Sequence, residues 1–230
     1  AGGHNAPPRG KMQLDENGEP IFGEKDTPKL EKIKELGLPF WLAGEYDSPE
    51  KLKEAQEAGA EGVQLGTAFA YCDESGMADN EKRKVIQKVV EESAVVLTDP
   101  RVSPTGYPFK VVQLENTMSE PEVYKARPRL CDLGLLRDAY KRDDGSLGYR
   151  CEAEPEDQYL KKGGKAEDLE GRGCLCNNLC ASAGFPQHRK DGYVEQPLVS
   201  SGKGLQSILK FFKSGKRSYS SKDVLDFVLG

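Results

Sequence analysis

Two segments decide the fold of this chain: Pro39-Phe-Trp-Leu-Ala-Gly44 and Gly62-Val-Gln-Leu-Gly-Thr67. Each is a short apolar run that ends in a glycine turn. The residues between them predict a helix, with Asp47 or Ser48 as N-cap and Gly59 at its end. We therefore predict a β-α-β unit in which both strands end in a small, polar turn.

These two turns form a candidate phosphate site. Glycines at Gly44 and Gly66 let backbone N–H groups approach an anion, and Thr67 adds a hydroxyl donor. Turns at the carboxyl ends of strands hold phosphate in (β/α)8 barrels, commonly after the seventh and eighth strands. The alternative, that the glycines serve only tight turns between strand and helix, stays open.

The composition of the chain restricts the number of domains it can form and the classes of partner it can bind. The chain has 230 residues, which is enough for one large domain or two small ones. A hydrophobic fraction of 37% and a mean hydropathy of −0.66 are low for a self-sufficient α/β barrel. The net charge is −5, and no basic block or cationic amphipathic helix indicates nucleic acid or a membrane surface.

Location is inferred from what the sequence lacks. Its longest apolar runs are about five residues, far short of the ~20 that span a bilayer. No secretory signal of the usual type is present, so we expect a cytoplasmic protein with reduced thiols.

The rest of the chain predicts further elements. Asn17-Gly18 favours a small hairpin over 12–22. Apolar spacing predicts helices over 27–36, 80–92, 204–213 and 221–229, strands over 94–98 and 109–114, broken helices over 119–140, and irregular structure over 141–200.

His4 is the candidate base. The chain has only two histidines, and an imidazole takes a proton near neutral pH. The alternative is an exposed histidine near a frayed chain end. His188 lies in a polar loop and is interpreted as a surface residue.

Three of the six cysteines lie in Gly173-Cys-Leu-Cys-Asn-Asn-Leu-Cys180, with Cys151 upstream. Zinc sites usually use two Cys-x2–4-Cys pairs, and the full Cys-x-Cys-x3-Cys pattern is not one of their common ligand spacings. The sequence therefore predicts no metal site, and we expect these residues to be thiols packed in a loop-rich region.

The segment Thr98-Asp-Pro-Arg-Val-Ser-Pro-Thr-Gly106 predicts an ordered loop. It borders a functional site or is a simple crossover, and the sequence leaves both open.

Several motifs together resemble one enzyme family. Ala1-Gly-Gly-His4, Leu42-Ala-Gly44 and Gly62-Val-Gln-Leu-Gly-Thr-Ala-Phe69, in this order and spacing, resemble the C-terminal half of nitronate monooxygenases, formerly called 2-nitropropane dioxygenases. The 98–106 loop and Gly173-Cys-Leu-Cys-Asn177 resemble one bacterial branch of that family. The resemblance covers nearly the whole chain.

The resemblance implies an FMN-dependent TIM-barrel enzyme with an added α-rich domain. It implies that His4 is the catalytic base on the α-carbon of a nitroalkane, or positions a nitronate. The reaction would consume a nitronate and O2 and give a carbonyl compound and nitrite. The implied cofactor-binding residues are Gly3, Ala43, Gly44, Gly66 and Thr67.

Two features depart from the family. Glu45 stands where the family usually has a second glycine, and its carboxylate would repel a phosphate unless it turns to solvent. The family's first six strands lie upstream of a motif that here begins at residue 1. We therefore expect an α/β fold with the last two TIM-barrel strands in residues 1–92, an α-rich extension in 93–230, and an N-terminal barrel half in the full-length chain. Without that half, we expect poor FMN binding.

Two other functions are alternatives to a nitronate monooxygenase. One is a related FMN-dependent enoyl reductase that uses a reduced nicotinamide cofactor and shares the Gly-Gly-His turn. The other is a non-catalytic fragment or interaction module that has kept barrel pieces without a flavin.

Overall fold

The computed structural model describes residues 3–213 and 215–230, which fold into a mixed α/β structure with short strands. The strands in this part of the chain are β1 (Trp41–Ala43), β2 (Gly62–Gln64), β3 (Val96–Asp99), β4 (Phe109–Val112), β5 (Asp138–Lys141) and β6 (Leu147–Arg150). The α-helices are α1 (Leu30–Lys34), α2 (Pro49–Glu57), α3 (Thr67–Ala70), α4 (Asp79–Val90), α5 (Pro121–Ala126), α6 (Glu156–Lys161), α7 (Leu175–Ser182) and α8 (Ser221–Leu229). Helices of the 3-10 type cover Glu24–Asp26, Ala166–Leu169 and Lys203–Phe211.

The chain forms two compact units that are interleaved in sequence. The first contains residues 22–96 and 201–230, and the second contains residues 3–21 and 97–200. The division into residues 1–92 and 93–230 stays a prediction. The observed units differ from it because the C-terminal 30 residues, 201–230, belong with 22–96.

The first unit contains the predicted β-α-β unit, which is confirmed. β1 and β2 are parallel, with Trp41 opposite Gly62. Helix α2 connects them, and its N-cap Ser48 accepts a hydrogen bond from the N–H of Lys51 at 3.3 Å. Gly59 ends this segment with a φ of 88°, a conformation that favours glycine.

The predicted partial barrel is not confirmed. Within the described residues the strands pair two by two into three sheets, and none of these sheets closes into a barrel. A two-stranded sheet needs other elements to bury its apolar residues. In the first unit α4, the Lys203–Phe211 helix and α8 supply that core, with Val85, Ile208 and Val224 each 0% exposed.

The second unit has its own apolar core. β3, which begins on the last residue of the first unit, pairs with β4. The core is formed by Val102, Phe109, Val111, Met118, Leu175 and Leu198.

Residues 119–150 differ from the sequence prediction. Only α5 is helical in the stretch predicted as broken helices, and β5 and β6 form an antiparallel hairpin. Its tip is Asp144-Gly145, where Gly145 has a φ of 83° and Asp144 accepts the N–H of Ser146 at 2.9 Å. Residues 93–230 therefore carry β3 to β6 and contain more strand than the predicted α-rich extension.

Among the described helices, none has both the length and the apolar character needed to cross a membrane.

Candidate functional site

Parallel pairing places two glycine turns at one end of the β1–β2 sheet. Ala43 ends β1 opposite Gln64 at the end of β2, and Gly44 and Gly66 follow. Gly44 has a φ of 100°, and a Cβ added there would meet no atom within 4 Å. The Gly44 turn therefore borders open space, as an anion site requires.

Thr67 is anchored by residues 202–204 of the same unit. The N–H of Gly202 donates to Thr67 Oγ1 at 2.9 Å, and a Cβ on Gly202 would lie 2.7 Å from this oxygen. A hydroxyl has two lone pairs and one proton, so this bond leaves the O–H of Thr67 to donate. The side chain is thus held in place and keeps a donor for a phosphate oxygen.

Glu45 follows Gly44 directly, and its carboxylate opposes an anion at this turn. It has a φ of 61°, and its side chain packs on Gly204, where an added Cβ would lie 3.0 Å from Cγ. The residue is exposed, so water and salt screen its carboxylate. The role of the two turns in binding a phosphate group stays a prediction.

Asp47 fixes the turn after β1 against the Lys203–Phe211 helix. Its carboxylate accepts hydrogen bonds from Ser207 Oγ at 2.6 Å and from Lys210 Nζ at 2.8 Å. Burial alone would raise the pKa of Asp47, but these hydrogen bonds and the charge of Lys210 outweigh burial and lower it. The turn is thus positioned by a charge-assisted contact.

His4 occupies an ordered position. It forms an antiparallel bridge with Phe109, and the two rings meet edge-on with centroids 4.8 Å apart. Its Nε2 lies 2.8 Å from Ser103 Oγ, which lies 2.7 Å from Thr105 Oγ1. The His4 side chain is exposed at the surface, and partial desolvation by its neighbours lowers its pKa below the ordinary value of 6.5. The imidazole is therefore neutral at pH 7 and can accept a proton.

An open pocket of about 350 Å³ lies beside His4. Its lining residues are His4, Asn5, Ala6, Thr105 and Tyr107. The side chain of Asn5 is held by Lys110, whose Nζ donates to Asn5 Oδ1 at 2.8 Å. This volume is at the lower end of the range for small-molecule sites.

The 98–106 loop forms one wall of this pocket. Asp99 shapes it by accepting the N–H groups of Arg101 and Val102 at 2.7 Å and 2.9 Å. The loop presents Thr105 to the pocket and Ser103 to His4. The sequence indicated an ordered loop but singled out neither residue, since lone hydroxyls in a loop carry no spacing signal.

Gly3 is required by packing. It is buried, and a Cβ built on it would collide with Ser200 Oγ and lie 2.7 Å from Phe109 Cζ. This packing explains the glycine without a cofactor, and its predicted place near a flavin stays a prediction. Gly2, the other glycine of the motif, lies outside the described residues.

The predicted site residues are divided between the two units. Gly3 and His4 belong to the second unit, whereas Ala43, Gly44, Gly66 and Thr67 belong to the first. His188 is exposed in the second unit and pairs with Val194 in an isolated bridge.

The six cysteines are all thiols. Cys151 and Cys174 are buried in one cluster with Ala153, and Cys176 packs against it. Across residues 3–213 and 215–230, no three Cys, His, Asp or Glu side chains already surround a common cation position.

No model of a known protein family matches this chain, and no curated protein matches it.

Proposed function

We propose that this chain is part of an FMN-dependent oxidoreductase that oxidises alkyl nitronates with O2 to a carbonyl compound and nitrite. The observation that carries the proposal is His4, which is neutral at pH 7 and lines an open pocket of about 350 Å³. The glycine turns after β1 and β2 support it, because the Gly44 turn borders open space, as the phosphate of FMN requires.

Each site residue has a distinct role in this proposal. The Gly44 turn and Gly66 admit a phosphate, and Thr67 donates its hydroxyl proton to a phosphate oxygen. When bound, FMN supplies the redox chemistry. The pocket orients the substrate carbon next to His4.

His4 accepts a proton from the α-carbon of a neutral nitroalkane at Nδ1. This requires the tautomer in which Nε2–H donates to Ser103 Oγ, and Ser103 in turn donates to Thr105 Oγ1. In that tautomer the two hydroxyls continue the hydrogen-bond chain from Nε2–H and stabilise the imidazolium that forms. For a preformed nitronate, the same ring positions the anion.

FMN binding and nitronate-dependent oxygen uptake test the proposal. We expect flavin fluorescence to be quenched on titration with the full-length protein, and a nitronate to consume O2 and release nitrite. His4→Gln should lower turnover of a neutral nitroalkane by about 10²-fold or more while FMN still binds. Thr67→Val should instead weaken FMN binding by about tenfold, since it removes one hydrogen bond.

Two matched controls separate these effects from damage to the fold. His188→Gln removes the other histidine, and Thr27→Val changes an exposed threonine; neither should alter binding or turnover. Absence of both flavin binding and oxygen uptake would contradict the proposal. Reduction of an enoyl thioester with NADH, without nitronate oxidation, would assign the chain to the enoyl reductase class instead.

A further inference from the structure

Four cysteines from three separate segments of the second unit converge on one place. Cys151 follows β6, and Cys174 is the N-cap of α7. Both are buried, 8% and 5% exposed, in the cluster against which Cys176 packs. The fourth, Cys131, lies in the loop after α5 and is brought to the cluster by its neighbours.

One hydrogen bond joins the Cys131 loop to helix α7. Asn177 Nδ2 donates to Asp132 Oδ2 at 2.6 Å. The residue after Cys131 is thus bonded directly to the residue after Cys176. This contact fixes the two backbone segments side by side.

A second set of bonds joins the same loop to the segment that contains Cys151. Arg129, two residues before Cys131, donates from Nε to the carbonyl of Glu154 at 3.1 Å and from Nη2 to the carbonyl of Glu152. The guanidinium therefore holds the Cys131 loop against the backbone that immediately follows Cys151.

Electrostatics agree with this placement. Burial is the main cause that raises the pKa of Cys151 to about 12, and the charges of Cys131, Cys174 and Cys176 contribute. The placement itself rests on the packed cluster and on the hydrogen bonds of Arg129 and Asn177. Burial and the charge of Cys176 likewise raise the pKa of Cys131 and of Cys174.

A buried carboxylate oxygen beside the cluster has no partner. Glu154 is 2% exposed, and within the described residues its Oε1 has no hydrogen bond, while Oε2 accepts from Lys162 at 2.6 Å. The backbone carbonyl of Glu154 accepts the Nε–H of Arg129, which lies two residues before Cys131. An unpaired buried oxygen is costly, and a nearby cation would compensate for it.

We propose that Cys131, Cys151, Cys174 and Cys176 bind one Zn²⁺ ion as four thiolates. Four sulfur ligands in a tetrahedron are the set that zinc and iron–sulfur groups prefer. Each thiol releases its proton to solvent as its sulfur binds the metal. The ion would join the Cys131 loop, the end of β6 and the start of α7.

Binding requires a rearrangement of side chains. Since no three ligand side chains already surround a common position in the described residues, the thiols must turn about their Cα–Cβ bonds toward one point. The hydrogen bonds of Arg129 and Asn177 already hold the three backbone segments. The proposal therefore requires that rotation of the cysteine side chains brings the four sulfur atoms to one point.

Metal analysis of the reduced, full-length protein tests this site. We expect about one zinc per chain by mass spectrometry, and four additional thiols that react with a thiol reagent once a chelator is added. Cobalt added to the metal-free protein should give the absorption bands of tetrahedral thiolate coordination. Serine substitution of any of the four cysteines should abolish these bands or weaken cobalt binding at least tenfold.

Cys180→Ser is the matched control, because Cys180 lies on the same helix, four residues after Cys176, and outside the cluster. It should bind cobalt like the parent protein. If Cys151→Ser or Cys174→Ser fails to fold, the less buried Cys131→Ser and Cys176→Ser decide the question. If the protein contains iron and acid-labile sulfide that are lost in the same four variants, the four-thiolate site is supported. The bound group would then be an iron–sulfur cluster instead of zinc. No bound metal and no cobalt bands in the folded protein would overturn the proposal, as would an equal loss in Cys180→Ser.

Discussion

The packing around Gly3 explains why a glycine lies beside the proposed catalytic residue His4. The residue is buried against Ser200 and Phe109, and an added Cβ would lie 2.7 Å from Phe109 Cζ. Gly3→Ala should therefore lower the free energy of unfolding by about 1–3 kcal/mol, because the core around Phe109 must shift. Urea unfolding followed by circular dichroism measures this change.

Gly23→Ala is the control for this prediction. A Cβ added at Gly23 meets nothing within 4 Å, and its φ of −129° suits any residue. The substitution should change stability by less than about 0.5 kcal/mol. Equal effects of the two alanines would show that packing does not explain Gly3.

The titration of His4 is a second prediction at this scale. Partial desolvation lowers the folded-state pKa of His4 below the 6.5 of a fully solvated imidazole. Between these two pKa values the unfolded chain binds more protons, so His4's contribution to stability is present above pH 6.5 and is lost as the pH falls through the folded pKa. In a His188→Gln background, a proton NMR titration should follow the single remaining histidine.

We expect the NMR midpoint to lie below pH 6.5 and to return to about 6.5 in concentrated urea. The stability of the His4 protein relative to a His4→Gln variant should decline on acidification over the same range. A midpoint at or above 6.5 in the folded protein would contradict the partial desolvation of the ring.

The sequence allowed the glycine turns to be singled out as a candidate site, but it did not allow all members of the cysteine cluster to be identified. The positions of Gly44, Gly66 and Thr67 after two adjacent parallel strands could be predicted from a local pattern, and their role in binding stays a prediction. Cys131 was missed, because it lies 20 residues before Cys151 in the sequence and is brought there by Arg129 and Asp132. No local spacing rule detects a cluster assembled from three segments.

The buried pair of Arg127 and Glu195 connects α5, α7 and the segment before residue 198. Arg127 donates to both oxygens of Glu195, at 2.6 Å and 2.9 Å. Asn177 and Asn178 of α7 donate to the same carboxylate, at 3.1 Å and 2.9 Å. Their side chains are almost fully buried, so the four hydrogen bonds hold these elements together without competition from water.

Glu195→Gln should destabilise this part of the fold strongly. The amide keeps the shape but leaves the buried Arg127 charge uncompensated, which costs about 3–5 kcal/mol. Thermal unfolding should show a lower midpoint. As a control, Glu122→Gln breaks an exposed pair with Lys125 and should cost less than about 1 kcal/mol. A similar small loss in both variants would contradict the role assigned to the buried pair.

Element prediction succeeded where caps and periodicity agree. Helix α8 has the Ser220 and Asp223 capping box that the sequence indicates. The hairpin of β5 and β6 was missed because its strands are mostly exposed and carry little apolar alternation, so only the Asp144-Gly145 turn gave a signal. Residues 203–211 have helical spacing but form a 3-10 helix, a choice that depends on packing rather than on local pattern.

At the scale of the whole molecule, burial depends on segments far apart in sequence. In the first unit the hydroxyl of Tyr219 donates to the carbonyl of Ala68 at 2.7 Å, and the amide of Gln206 donates to the carbonyl of Val89 at 2.8 Å. Composition and motif order suggested a boundary after residue 92. They could not reveal that the last 30 residues complete the core that begins with residues 22–96.

This interleaving predicts how fragments of the chain behave. Residues 1–92 alone lack the Lys203–Phe211 helix and α8, and so lose the side chains that cover Ala68 and Val89. Because a small domain is stable only when most of its apolar surface is buried, this fragment should show no cooperative thermal transition. A protein in which residues 22–96 are joined to 201–230 by a flexible linker should unfold cooperatively. The fluorescence of Trp41, the only tryptophan in the sequence, would monitor this transition. A cooperative transition in the 1–92 fragment would instead support the boundary that the sequence suggests.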